Sequence, residues 1–72
     1  MVSMTHYDGE TRYAEFVADY DNELSKMPDM VNRGKDNLSS IYGVCMGSIC
    51  RITTTGNIYT LVGDGNYWKL MN

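Results

Sequence analysis

Seventy-two residues with 43% hydrophobic content, one proline and a net charge of −3 describe a single small globular domain and exclude a disordered chain. The longest apolar runs are a few residues, which excludes a membrane-spanning helix of ~20 residues and a secretory leader. The cytoplasm is the expected location. A chain of this size buries only about 60% of the surface its unfolded form exposes, so a homodimer that covers more apolar area is an expected state.

The charge is unevenly placed. Residues 8–29 carry seven acids (Asp8, Glu10, Glu15, Asp19, Asp21, Glu23 and Asp29) against Arg12 and Lys26, a balance of −5. Residues 30–72 carry Asp36 and Asp64 against Arg33, Lys35, Arg51 and Lys69, a balance of +2. Such asymmetry bears on association and steering and leaves the fold undetermined.

The first predicted element is a helix over residues 10–27. Tyr13, Phe16, Val17, Tyr20, Leu24 and Met27 recur at steps of three, four and one, as one face of a 3.6-residue period does. Glu15, Asp19, Asn22 and Glu23 fall on the opposite face. Asp8 and Glu10 suit a helix start, where carboxylates complement free N–H groups, and Pro28 stops the helix. Residues 28–43 read as a connector with short turns near Gly34 and Asp36.

Residues 44–72 read as a β-meander. "ICRITTT" alternates and is rich in β-branched residues, "TGN" turns, "IYTLV" is a second strand, "GDGN" turns again, and "YWKLM" closes. Val44–Met46, bracketed by Gly43 and Gly47, adds a short fourth strand. Ile52, Tyr59, Leu61, Trp68 and Leu70 are the expected inner face. The predicted fold class is therefore α+β: one amphipathic helix packed on a three- to four-stranded antiparallel meander.

No residue set carries a reaction, so no enzyme activity and no cofactor are expected. His6 is the only imidazole, and Cys45 and Cys50 have a C-x4-C spacing that matches no zinc ribbon or redox pair. Arg51 and Lys69 beside Tyr67 and Trp68 form at most a minimal stacking face; direct nucleic-acid binding needs more positive charge than this acidic chain offers.

The stretch 47–72, G-S-I-x-R-x-T-x-T-G-N-I-Y-x-L-x-G-x-x-x-Y-W-K-L, resembles a β-meander that recurs in bacteriophage tail-fibre and related proteins. It covers 26 of 72 residues and departs at Ser48, where that pattern commonly has aspartate. The resemblance implies an oligomeric structural module in contact with carbohydrate. The composition favours a different reading: a non-enzymatic inhibitor or modulator of a larger host protein or complex, of the anti-defence kind carried by phages and mobile elements. On that reading Glu15, Asp19 and Glu23 line an acidic helix face that enters a basic groove, with Tyr67 and Trp68 as anchors. A third reading is a small nucleotide-ligand sponge with a pocket at Arg51, Thr53 and Tyr59.

Overall fold

A computed structural model describes residues 1–72. Five strands form one sheet in sequence order: β1 (Ser3–Tyr7), β2 (Ala14–Ala18), β3 (Ile49–Ile52), β4 (Ile58–Val62) and β5 (Tyr67–Leu70). Neighbours pair antiparallel except β2 and β3, which are parallel. Parallel neighbours need a crossover of a dozen or more residues. Residues 19–48 supply it with two 3-10 turns, Asp21–Lys26 and Asp36–Leu38, and no α-helix. No helix is long and apolar enough to cross a membrane.

The predicted α+β class and the helix over 10–27 are thus corrected. Within that segment Ala14, Phe16 and Ala18 are 0–1% exposed, while Glu15 and Val17 between them are half-buried. That is a period of two, and it is completed by pairing on both sides, Met4↔Phe16↔Cys50. Val17, Tyr13 and Tyr20 lose side-chain freedom in a helix and suit a pleated surface better. Only Asp21–Lys26 coils, as a tight 3-10 turn that Pro28 follows after one extended residue, Met27. The antiparallel meander is corrected too: β3, β4 and β5 do pair in sequence order, but as part of a five-stranded mixed sheet, and Val44–Met46 is not a strand.

One face of the sheet is covered. Phe16, Ala14 and Ala18 on β2, Cys50 and Ile52 on β3 and Leu61 on β4 meet Val2 and the crossover residues Met27, Leu38 and Val44 in a single core. Trp68 and Tyr59 pack against its margin, whereas Leu70 is left 44% exposed. Trp68 stands edge-on to Phe16, ring centroids 6.0 Å apart, and its indole N–H donates to the Pro28 carbonyl at 3.1 Å. A buried Ser48 ties the crossover to the sheet: its hydroxyl accepts from the Ala14 N–H at 3.1 Å and donates to the Cys45 carbonyl at 2.8 Å.

Candidate functional site: the open face of the sheet

The opposite face has nothing packed on it. Alternation along paired strands puts three cross-strand rows there: Val17↔Arg51↔Ile58, Glu15↔Ile49↔Thr60↔Lys69, and Val62↔Tyr67. Val17, Ile49, Ile58 and Val62 are its apolar residues, each partly buried and set diagonally among Glu15, Arg51 and Thr60. Tyr13, His6 and Tyr67 stand around them; the His6 and Tyr13 ring centroids are 6.3 Å apart. A shallow hollow of about 110 Å³ lies between Thr5, Glu15, Ile49, Arg51 and Ile58. Arg51 and Lys69 form no ion pair, while Glu15 accepts a 2.8 Å hydrogen bond from the Tyr13 hydroxyl, which raises the tyrosine's pKa. This side of an acidic molecule therefore carries two free cations and one carboxylate.

The acidic stripe expected of Glu15, Asp19 and Glu23 does not exist, because no helix carries it. Glu15 lies on the open face, Asp19 follows the end of β2, and Glu23 is in the first 3-10 turn at 8% exposure. One Glu23 oxygen accepts from the Asp19 and Tyr20 N–H groups at 3.1 and 3.0 Å. Its other oxygen, and Asp19, meet the Met1 ammonium at 2.5 and 2.9 Å, and that ammonium holds both carboxyls below their usual range.

Sequence reasoning passed over Asp21, an acid that three side chains of the β3–β4 region reach. It accepts from the Tyr59 hydroxyl at 2.5 Å, the Asn57 amide at 2.9 Å and the Thr55 hydroxyl at 3.3 Å. The Tyr59 bond, then Asn57, lowers the Asp21 pKa, and the same bond raises that of Tyr59. Thr54 also donates to the Asp19 carbonyl, so the whole β3–β4 turn is laced to the crossover. A Thr-rich turn followed by Asn, with an Asp beyond a strand, was the available signal, but the pairing spans 38 residues.

Of the expected anchors, Trp68 faces the core and Tyr67, 50% exposed, faces the open side, as adjacent strand residues must. The set Arg51, Thr53 and Tyr59 is not brought together as a pocket. Arg51 lies on the open face, Tyr59 on the covered one, and Thr53 donates to Asp19 beyond the end of β3. Cys45 and Cys50 are free thiols, and burial pushes the Cys50 thiol up to about 11. No group of three or more His, Cys, Asp or Glu side chains is placed to hold a metal ion.

No model of a known protein family matches the chain, and comparison with curated proteins and with solved structures gives no significant match.

Proposed function

We propose that the protein is a small non-enzymatic binding domain that modulates a larger protein, with the open face of its sheet as the contact surface. The observation that carries this reading is the uncovered set of Val17, Ile49, Ile58 and Val62 with Tyr13 and Tyr67 at its margin. Exposed apolar and aromatic side chains with an arginine among them are what interfaces are enriched in. Two free thiols suit the reducing cytoplasm as its place of action.

The charge of the face suggests the partner. Arg51 and Lys69 outnumber Glu15, so the complementary surface is apolar and carries acidic groups. The basic groove expected from the sequence loses its support, since Glu23 and Asp19 are engaged within the fold. Two cations are also too few for nucleic acid, where affinity comes from several neutralised phosphates. An inhibitor of a host complex is one way such a domain acts, and the open face serves that role without any catalytic group.

The test is an interaction screen with matched variants. Val17→Asp and Ile58→Asp put a charge among these apolar residues; Val31→Asp puts one on a crossover residue that is 75% exposed. A protein retained by the native chain and by Val31→Asp, but lost with both open-face variants, supports the reading. Retention by the open-face variants rejects it, as does a native chain that elutes as a homodimer through this face and holds no other protein.

A further inference from the structure

On the covered side, where Met4 and Tyr7 of edge strand β1 stand opposite Phe16 and Ala14, a cleft of about 210 Å³ separates that strand from crossover residues 40–42. The crossover is tied to this edge at two places. The Asn37 side-chain amide donates to the Val2 carbonyl at 2.6 Å, and the Cys45 N–H donates to the Arg12 carbonyl at 3.0 Å. Between these ties no backbone hydrogen bond joins residues 40–42 to β1, so the cleft is built into the fold. Met4, Tyr7 and Tyr42 are 39%, 44% and 48% exposed, and with Ile41 they give it an apolar and aromatic lining.

One cation lines the cleft, Arg12. It forms no ion pair, although the chain has nine carboxylate side chains, and its guanidinium carbon is 5.9 Å from the centroid of the Tyr42 ring. Its backbone has φ 65°, a left-handed conformation uncommon for residues other than glycine, asparagine and aspartate. Gly43 lies against the guanidinium: a Cβ there would meet Arg12 Nη1 at 2.5 Å and push the fork aside. A residue held in that conformation at a cleft is a pointer to ligand contact. The Arg33 guanidinium also approaches Tyr42, at 4.4 Å from its centroid, but Arg33 does not line the cleft.

We propose that this cleft binds a small monocarboxylate carrying one ring, of the arylacetate class. A single guanidinium fork saturates a carboxylate through two parallel N–H···O bonds, and Arg12 is the one fork in the cleft. A phosphate would bring close to two negative charges to that one cation, beside Asp8 and Glu10 of the same hairpin. The volume lies below the ~300–1,000 Å³ of drug-sized pockets, so the body is one ring on a short arm, resting on Tyr7, Tyr42, Met4 and Ile41. This site lies on the other side of the sheet from the proposed docking face and does not depend on it.

The experiment is an amide-resolved NMR titration of the full chain with phenylacetate, phenylacetamide and acetate in parallel. Saturable shifts at residues 7, 12 and 40–43 are expected with millimolar phenylacetate. Phenylacetamide lacks the charge and acetate lacks the ring, so each is expected to bind at least about tenfold more weakly. Arg12→Asn keeps the left-handed backbone accessible while removing the fork. Folded by its own spectrum, it is expected to lose about tenfold or more in phenylacetate affinity, the worth of a charge-assisted hydrogen bond. Arg33→Gln removes a cation outside the cleft and is expected to change that affinity by less than about threefold. No shift at residues 40–43, phenylacetamide binding as tightly as phenylacetate, or equal affinities for Arg12→Asn and Arg33→Gln would overturn the proposal. Tighter binding of an acetylated tripeptide ending in phenylalanine would give the site to a peptide terminus and overturn the small free acid.

Discussion

Phe16 and Val17 are neighbours, and the one-sided sheet assigns them opposite fates. Phe16 is 1% exposed in the core, edge-on to Trp68, while Val17 is half-buried on the uncovered face. Truncating a core phenylalanine to alanine removes its transfer energy and leaves a cavity, together about 3–5 kcal/mol. Removing two methyl groups from a valine that is only partly buried, with no enclosed cavity left behind, costs about 1 kcal/mol. A domain of this length has a total stability on the order of 4–11 kcal/mol. Phe16→Ala therefore removes about a quarter of it or more, and lowers the melting temperature by upwards of about 12 °C. Val17→Ala leaves the protein close to native. Urea unfolding followed by the fluorescence of Trp68, the only tryptophan, reads both on one scale. In an amphipathic helix the two residues share a stripe and both truncations are severe. Comparable losses for Phe16→Ala and Val17→Ala would refute the strand and its two faces.

Three further outcomes follow from the same contacts. Ser48→Ala leaves the buried Ala14 N–H without its acceptor and is expected to destabilise by about 1–3 kcal/mol in the same urea assay, whereas Ser25→Ala, at an exposed turn, is expected to be neutral. Asp21 is held below its ordinary value by Tyr59 and Asn57, so its contribution is present above the unfolded carboxylate range and is lost as pH falls through the folded value; acid unfolding of Asp21→Asn is expected to begin from a lower plateau and to show a shallower limb below about pH 4 than the native chain. With its thiol pushed up to about 11 by burial, Cys50 is expected to resist alkylation at pH 8 until the chain unfolds, while the half-buried Cys45 reacts first; equal rates in mass-resolved labelling would contradict the packing of β3.

The parts of the fold that were readable from the sequence are those written in local chemistry. Gly56 (φ 76°), Gly65 (φ 100°) and Asn66 (φ 54°) take the left-handed conformations that their turn positions require, and the strands between them alternate over a few residues. Strand β2 mimics a helix because both of its faces carry apolar groups. Tyr13 and Val17 point to the open side, and the inward Ala14 and Ala18 are small, so alternation is blurred and spacings of three and four emerge by coincidence. Apolar groups on both faces of a strand thus disguise the strand. Strand β1 is polar, exposed throughout and kinked by a bulge between Met4 and His6, and nothing in "SMTHY" announces it.

Non-local pairing accounts for the rest. The parallel β2–β3 register and the Asp21–Tyr59 bond join residues more than thirty positions apart. Among the candidate site residues, Tyr67 against Trp68 followed from strand geometry, which puts one of two neighbours on each face. Arg12 and Tyr42 share no motif and come together only once the crossover lies across the sheet.

The open face itself is tested most directly by side-chain methyl NMR of the isolated chain with a soluble paramagnetic probe. Marked broadening of the Val17, Ile49, Ile58 and Val62 methyl signals is expected, with Ile52, Leu61, Val44 and Leu38 protected in the core. Equal protection of the two sets would mean that both faces of the sheet are covered, and would contradict the proposed docking surface.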